Sequence, residues 1–236
     1  MNAIYFPATV LSNDLIGEHV RYLKISLEEA IPYQPGQFFM LRLRNALGDY
    51  VERSYSVAND SQGDLFEFVI RIEPHGQMSS IINTLVPGDR FDLKGPFGRF
   101  GISSLPAECS RLVLIAGGVG ISPLRSMLLR SLREGALYGL QLFYGFRTPK
   151  DFLFREELEK FAKEQGLDLI VSVSEEPQEP WSGKQGFITD HLGDHMGEPN
   201  PGVQSFICGP PLMVKSSREK LFALGFDRRQ VHVEAW

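Results

Sequence analysis

The chain has 236 residues, of which 43% are hydrophobic and 22% are charged, and this composition and length suit a globular protein of two domains. Its net charge of −5 argues against a general nucleic-acid binder, which needs a basic face. The longest apolar run, residues 112–121, is about half the ~20 residues of a membrane span. The first residues lack the features of a signal peptide and only two cysteines occur, so we expect a reduced, soluble, cytoplasmic protein.

The first hundred residues carry the pattern of an antiparallel β-barrel or sandwich. Short apolar stretches recur at roughly ten-residue spacing and are separated by turn sequences such as Pro35-Gly36 and Pro87-Gly88. One helix is predicted at Gln77–Leu85, where apolar residues follow helical spacing. The predicted strands are Tyr5–Leu11, Val20–Leu27, Gln37–Leu43, Arg53–Val57, Phe66–Ile72 and Arg90–Leu93.

The pattern changes near residue 103. Residues 111–116 form a continuous apolar run, which is typical of a strand buried on both faces of a parallel sheet. Ser122 and Pro123 then predict a helix start, with Ser122 as the N-cap. Strands and helices alternate from there on, which predicts an α/β domain with a parallel sheet. The predicted strands lie near 111–116, 139–145, 168–174, 204–208 and 230–234, and the helices near 122–134, 151–165, 186–193 and 211–224.

A glycine-rich turn, Ala116–Pro123, joins the first strand and helix of this second half. Its three glycines let the backbone approach a ligand, and a helix N-terminus adds positive potential, so a pyrophosphate fits there. The third glycine of the G-x-G-x-x-G motif is missing. A tight strand–helix turn without a ligand is therefore an almost equally good interpretation of this motif alone.

Three further motifs are weak when each is taken alone. The sequence Ile207–Pro211 follows a predicted strand, where open α/β sheets bind ligands, although a cysteine there is more often a small core residue. In Arg53–Ser56, the side chains of Arg53 and Tyr55 share one strand face, which suits a phosphate and a flat ring or simply a solvated face. The chain ends on Glu234–Trp236, where the tryptophan could close over a pocket or end the last strand.

No metal centre is predicted. Two cysteines cannot supply the four thiolates of a self-contained zinc or iron–sulfur site. His191 and His195 have the spacing of helical metal ligands, but Leu192 replaces the glutamate of the H-E-x-x-H motif. A solvated histidine pair on the surface is the simpler interpretation.

Taken together, the four motifs resemble those of the ferredoxin–NADP reductase superfamily and occur in the same order along nearly the whole chain. The length and the segment Arg147–Asp151 are most similar to bacterial oxygenase-reductase modules and NAD(P)H–flavin reductases. The resemblance implies an antiparallel β-barrel FAD-binding domain at residues 1–102. It also implies an α/β parallel-sheet nicotinamide-nucleotide-binding domain at residues 103–236, without an iron–sulfur domain of its own.

For the flavin, the resemblance implies that Arg53 contacts the pyrophosphate, that Tyr55 packs on the isoalloxazine and that Ser56 lies near N5. A second phosphate-binding stretch at the helix start favours FAD over FMN. The implied FAD-binding residues are Arg53, Ser54, Tyr55, Ser56, Val69, Ile70, Arg71, Gly76, Gln77, Met78, Ser79, Ser80 and Trp236.

For the nicotinamide nucleotide, the resemblance implies that the glycine-rich turn holds the pyrophosphate. The implied residues are Gly117, Gly118, Val119, Gly120, Pro123, Arg147, Thr148, Ser174, Glu175, Cys208, Gly209 and Pro210. Plant-type members have Ser-Arg where this chain has Ser174-Glu175, and a carboxylate there repels a 2′-phosphate and accepts hydrogen bonds from a ribose diol. We therefore predict a preference for NADH. NADPH remains the alternative, because Arg147 can supply a contact to its 2′-phosphate.

The implied function is that of an NAD(P)H-dependent flavoprotein reductase with Ser56, Cys208, Glu234 and Trp236 at the catalytic site. Ser56 orients the flavin N5 region, Glu234 steers charge or protons, and Cys208 and Trp236 pack on the rings. A bound FAD favours a separate electron acceptor, namely an iron–sulfur protein, an oxygenase component or a hydrogenase-type complex. The first alternative is a reductase that releases reduced free flavin, and the second is a non-catalytic nucleotide-binding regulatory subunit.

Overall fold

The computed structural model describes residues 4–61, 63–136 and 138–235, except for the side chain of Ser104. The strands are β1 Phe6–Gly17, β2 Val20–Leu27, β3 Phe38–Arg44, β4 Tyr50–Ser56, β5 Leu65–Arg71, β6 Arg90–Phe97, β7 Arg111–Gly117, β8 Gly139–Phe146, β9 Asp168–Val173, β10 Lys184–Gln185, β11 Val203–Gly209 and β12 Val231–Ala235. The α-helices are α1 Gln77–Thr84, α2 Ile121–Arg133, α3 Arg155–Glu164, α4 Leu192–His195 and α5 Pro211–Ala223. Within these residues, no helix has the length and apolarity needed to cross a bilayer.

The first six strands form an antiparallel sheet in the order β4-β3-β6-β1-β2-β5. The sheet closes into a barrel just after β4, where Val57 bridges Phe68 of β5 and the Ala58 amide donates to the Glu67 carbonyl at 2.7 Å. Inward-facing side chains alternate along each strand and fill the barrel with a core that includes the fully buried Phe39. The predicted antiparallel barrel is confirmed. The alternation of apolar and polar residues explains it, because such strands bury only one face of their sheet.

The other six strands form a parallel sheet in the order β10-β9-β8-β7-β11-β12. Every residue of β11 is buried, as expected of a central strand covered by helices on both faces. The chain moves outward from β7 through β8 and β9 and then returns to β11, so the strand order reverses between β7 and β11. The carboxyl ends of these two strands flank the crevice where open α/β sheets bind ligands.

Three local predictions were wrong. The helix predicted near 151–165 begins only at Arg155, because Phe154 adopts a left-handed conformation with φ 57° and interrupts the helical path. The helix predicted near 186–193 is a 3-10 turn at Ile188–His191 followed by the single turn of α4. Ser122 is not the N-cap of α2, since it lies inside the helix and its hydroxyl donates to the Ser56 carbonyl of the barrel at 2.8 Å.

Helix α2 joins the barrel to the parallel sheet. Arg125 lies at the centre of this interface and is only 7% exposed. Its guanidinium donates to the Ala58 carbonyl at 2.8 Å, to Glu67 at 2.9 Å, and to both carboxylate oxygens of Glu157 at 2.6 and 2.8 Å. The ring of Phe154 lies 4.3 Å from its Cζ atom. One buried cation thus connects β5, the chain after β4 and α3, and fixes the two sheets relative to each other.

The segment that joins the two sheets runs from β6 to β7 and contains a 3-10 turn at Ile102–Ser104. The predicted division between residues 102 and 103 falls within this segment, and it stays a prediction. The hydrogen bonds between α2 and the barrel join residues after this division to residues before it. The two parts of the chain therefore pack against each other.

Candidate functional site

A cleft of about 480 Å³, the barrel cleft, lies where β4 and α1 face the start of α2. Arg53 and Tyr55 both line it. Arg53 is exposed, and its Nη1 donates to the Glu52 carbonyl at 2.7 Å, which leaves further guanidinium donors for an anion. Burial raises the pKa of Tyr55 to about 12, so the phenol stays neutral and offers a flat ring beside the cation.

The start of α1 forms the opposite side of the barrel cleft. Gly76 is the N-cap of this helix, and no side chain caps its first turn. Gly76, Gln77, Met78 and Ser79 line the cleft, so the N–H groups of this turn face a space that suits an anion. An arginine, a helix start and a tyrosine ring around one cleft fit a flavin that carries two phosphates.

A second cleft of about 520 Å³, the sheet cleft, lies at the carboxyl ends of β7, β8 and β9. Gly117, Gly118 and Val119 line it. Gly118 has φ 52°, and no atom lies within 4 Å of the position that a Cβ would take, so the backbone here is open to a ligand. A Cβ at Gly120 would instead lie 2.2 Å from the Cys208 carbonyl oxygen, so this glycine allows α2 to start against β11.

The two clefts adjoin, because Arg71 and Val119 line both of them. The barrel also contributes directly to the sheet cleft, since Glu18, His19 and Val20 at the β1–β2 turn line it together with Arg147 and Leu153. A ligand in the sheet cleft therefore contacts both sheets of the molecule. No side chain caps the first turn of α2, which begins beside the glycine turn, so its N–H groups fit a pyrophosphate.

Ser56 and Glu234 meet in the barrel cleft. The Ser56 hydroxyl donates to Glu234 Oε2 at 3.2 Å. Burial raises the pKa of Glu234, and the hydrogen bond from Ser56 offsets part of this effect. Glu234 of β12 lies beside Cys208 of β11 in the strand register, and Cys208 is fully buried in the core behind the cleft. Three residues that are far apart in the sequence are thus close together.

Comparison with known proteins identifies the family of the chain. The model of the oxidoreductase FAD-binding domain matches residues 7–102, and that of the oxidoreductase NAD-binding domain matches residues 114–219. NADH-cytochrome b5 reductase 1 of Neosartorya fischeri is 30% identical over 230 residues, which cover 94% of this chain and 68% of that protein. The chain belongs to the ferredoxin–NADP reductase superfamily. It is an NAD(P)H-dependent flavoprotein oxidoreductase, as the resemblance of the sequence motifs implies.

Two other relatives of this reductase come from oxygenase systems. The phenol hydroxylase P5 protein of Acinetobacter pittii is 27% identical, over 97% of this chain and 65% of that protein. The solved structure of a ferredoxin reductase in carbazole 1,9a-dioxygenase has a TM-score of 0.86 and 27% identity, over 100% of this chain and 70% of that one. The reductase chain spans about half to three quarters of the length of the curated relatives it matches.

Most of the FAD-binding residues expected for the reductase lie around the barrel cleft. Those that line it are Arg53, Ser54, Tyr55, Ser56, Val69, Arg71, Gly76, Gln77, Met78 and Ser79. Ile70 is instead 1% exposed and packs in the barrel core. Ser80 does not line the cleft, and its hydroxyl donates to the Gly76 carbonyl at 3.0 Å. Trp236 lies outside the described residues.

The residues expected to bind the nicotinamide nucleotide fall into four groups. Those that line the sheet cleft are Gly117, Gly118, Val119, Arg147, Ser174 and Pro210. Pro123 lines the barrel cleft instead, while Gly120, Cys208 and Gly209 are buried behind the lining. Thr148 donates its amide and hydroxyl to Asp151 Oδ2 at 3.1 and 2.9 Å, and Glu175 accepts from Arg147 Nε at 2.8 Å.

Several lining residues of the reductase escaped the sequence analysis. Phe187 and Leu212 line the sheet cleft while 66% and 79% exposed, and exposed apolar side chains at a cleft indicate a binding surface. Both residues have a local signal in the sequence that could have identified them as lining residues. Phe187 directly follows Gly186, and Leu212 directly follows the Cys-Gly-Pro-Pro sequence. The β1–β2 turn has no such local signal. In the described part of the chain, no group of three or more His, Cys, Asp or Glu residues could hold a metal ion.

Replacing Glu234 by glutamine should remove a pH dependence of the stability of the reductase. Burial holds the folded-state pKa of Glu234 above its unfolded value, so this contribution to stability is complete below the unfolded pKa and is lost as the pH rises through the folded pKa. Glutamine does not ionise. We therefore expect Glu234→Gln to stabilise the protein relative to wild type at about pH 8 and less so at about pH 4.

Urea unfolding of both proteins across this pH range measures the effect. Glu198→Gln, at an exposed position, serves as the control and should leave the wild-type profile unchanged. Parallel profiles for wild type and Glu234→Gln contradict the prediction.

Proposed function

We propose that this reductase takes hydride from NAD(P)H, preferably NADH, onto FAD held in the barrel cleft and passes the electrons to a separate redox protein. The observation that carries the proposal is that the two clefts adjoin and share Arg71 and Val119 in their lining, with the Ser56–Glu234 pair on the barrel side. When bound, FAD accepts a hydride from a nicotinamide and can release the electrons one at a time.

The protein's part in this chemistry is binding, orientation and exclusion of water. We assign the two FAD phosphates to Arg53 and the start of α1, and the flat ring to Tyr55. The nicotinamide nucleotide is assigned to the sheet cleft, with its pyrophosphate on Gly117–Val119. The FAD-binding domain is then residues 1–102 and the NAD(P)-binding domain residues 103–236, and Trp236 is assigned to cover the flavin ring.

Ser56 and Glu234 are the catalytic residues of the proposal, with Cys208 packed behind them. Because burial raises the pKa of Glu234, its carboxyl holds a proton to a higher pH than an exposed glutamate does. The hydrogen bond between Ser56 Oγ and Glu234 Oε2 fixes both side chains in one geometry, so that a proton held at Glu234 is close to the Ser56 hydroxyl.

The relatives support a protein as electron acceptor. They are named as a cytochrome b5 reductase, a phenol hydroxylase component, a glycine betaine monooxygenase reductase subunit and a ferredoxin reductase of a dioxygenase. We propose a separate protein as the acceptor, namely an iron–sulfur protein, an oxygenase component or a hydrogenase-type complex.

Anaerobic mixing with NADH tests the reaction. FAD-loaded protein should lose its flavin absorbance within seconds and regain it on addition of ferricyanide or a one-electron iron–sulfur protein. A flavin that stays oxidised for minutes contradicts the proposal and favours a regulatory subunit. If gel filtration strips the FAD and added free FMN is reduced instead, the protein releases reduced flavin as a product.

The Arg147–Glu175 ion pair gives a test of nucleotide preference. Arg147 lines the sheet cleft and its Nε lies 2.8 Å from the Glu175 carboxylate. Glu175→Gln removes a charge that repels a 2′-phosphate and frees Arg147 to bind one, so we expect kcat/KM for NADPH to rise severalfold relative to NADH. Glu175→Arg should shift the ratio further in the same direction.

Steady-state kinetics with both nucleotides measure this ratio. Glu176→Gln is the matched control, because it removes a neighbouring exposed carboxylate. The explanation of nucleotide preference is wrong if the ratio stays constant in both Glu175 variants, or if Glu176→Gln moves it as far.

A further inference from the structure

We propose that Ser122 of α2 is a positioning residue that holds Ser56 in place for hydride transfer. The inference rests on the proposed function, in which Ser56 is a catalytic residue. It gives α2 a second role besides following the glycine turn. In this role, the helix holds the backbone at Ser56, on the flavin side of the site.

The first step of the argument is a pair of matching hydrogen bonds. The Ser122 hydroxyl donates to the Ser56 carbonyl at 2.8 Å, and Arg125 Nη1 donates to the Ala58 carbonyl at 2.8 Å. Alternate residues of an extended chain direct their carbonyls to the same side, and helix residues three apart share a face. One face of α2 therefore binds one edge of the chain that follows β4.

The same face of α2 continues to bind the chain two residues further on. The Asp60 carboxylate accepts from Arg130 at 2.8 Å and pairs with Arg133 at 3.0 Å, and its side chain is only 2% exposed. Side chains of α2 therefore bind Ser56, Ala58 and Asp60 in turn.

This segment needs such support because the sheet ladder changes partner there. β4 pairs with β3 up to Ser56, and Val57 then bridges to Phe68 of β5. Ser56 thus stands at the point where the chain leaves one neighbour for another, and side chains of α2 bind its carbonyl and that of Ala58.

Ser122 connects this support to both halves of the site. It is 4% exposed, lines the barrel cleft and lies two residues after Gly120, the last glycine of the turn. Ser56 in turn donates its hydroxyl to Glu234. One helix therefore fixes the lining of the sheet cleft and the backbone of Ser56 together. A displacement of about 1 Å between reacting groups can slow a reaction about a hundredfold, so loss of this bond should affect the rate more than nucleotide binding.

The test compares Ser122→Ala with a matched control, Ser126→Ala, in the full-length FAD-loaded protein. Ser126 lies one turn further along α2 and also contacts the barrel, but its hydroxyl accepts from the Gly36 amide at 3.0 Å. In anaerobic stopped-flow reduction by NADH, we expect Ser122→Ala to slow hydride transfer about tenfold with little change in the NADH Kd. Ser122→Thr, which keeps the hydroxyl, should restore most of the rate, and Ser126→Ala should stay close to the wild-type rate.

Hydrogen exchange gives a second readout that does not depend on reduction. The amides of Val57 and Ala58 are hydrogen-bonded to Gln37 and Glu67, and they should exchange faster in Ser122→Ala than in wild type or Ser126→Ala. If wild type is not reduced by NADH, the proposed function fails, while this exchange still decides whether Ser122 holds the segment. Unchanged exchange, a wild-type rate in Ser122→Ala, or an equal loss of rate in Ser126→Ala overturns the proposal.

Discussion

Arg125→Met is expected to lower the free energy of unfolding by about 2–3 kcal/mol. The guanidinium is almost fully buried, and its removal leaves the Glu157 carboxylate and the Ala58 carbonyl without this donor, while Glu67 keeps the hydrogen bond from the Tyr22 hydroxyl. The loss falls below that of a fully buried pair because the Glu67 and Glu157 side chains stay 22% and 29% exposed to water. Arg125→Lys should recover part of the loss, because lysine keeps the charge but not the bidentate geometry.

Urea unfolding measures this effect, and Arg155→Met provides the control. Arg155 pairs with Glu159 on the surface of α3, where both side chains are about half exposed, so its loss should cost less than about 1 kcal/mol. Similar losses for the two methionine variants contradict the assignment of Arg125 as the centre of the interface.

Gly118→Ala and Gly120→Ala, two residues apart, are expected to affect different properties. Gly120→Ala should lower the stability of the protein, and Gly118→Ala should mainly weaken nucleotide binding. An alanine at Gly120 places its Cβ 2.2 Å from the Cys208 carbonyl oxygen, and only a movement of α2 away from β11 relieves this, so we expect a loss of at least about 3 kcal/mol of stability. An alanine at Gly118 meets no atom within 4 Å and incurs only the cost of a left-handed residue, about 1–2 kcal/mol.

The cost of Gly118→Ala should instead be seen in nucleotide binding, because the new methyl group projects into the sheet cleft. We expect the NADH Kd to rise about tenfold or more. Gly135→Ala is a matched control, since Gly135 at the end of α2 also has a left-handed φ, 61°, and open space around it. Titration with NADH and urea unfolding separate the two effects. Equal NADH affinities of Gly118→Ala and Gly135→Ala would show that the turn does not hold the pyrophosphate.

Much of the fold followed from the sequence because its signals are local. Alternating apolar residues predict half-buried antiparallel strands, and the apolar run at 111–116 predicts a central parallel strand. Each prediction needs only the residues of that strand, because their pattern shows whether one face or both faces are buried. The glycine turn and Cys208–Pro210 could be placed for the same reason. Both directly follow strands, and parallel strands bring their carboxyl ends to one edge of a sheet.

The remaining features depend on contacts between distant parts of the chain. Ser122 has the sequence of an N-cap, whose side-chain oxygen would accept from the first N–H groups of the helix. It lies inside α2 instead, and its hydroxyl donates to a carbonyl 66 residues away that only tertiary packing brings to it. Likewise, nothing in Glu18–Val20 indicates a ligand, since that turn reaches the sheet cleft only through the packing of the barrel on α2 and α3. The sequence gives no sign that Arg125 is a buried interface residue, because its partners Glu67 and Glu157 are distant in the chain and reach it only in the folded protein.

The row of contacts along α2 has a consequence for engineering chimeric reductases. Grafting a foreign nucleotide-binding half onto this barrel at residue 102 would expose Asp60 and Glu67 without Arg125, Arg130 and Arg133, while the grafted helix would bring cations or apolar groups matched to another host. Exchange of α2 together with residues 56–67 keeps each charge with its counterpart. Crossover points chosen by this pairing, rather than by the linker, should give hybrids that fold and retain flavin.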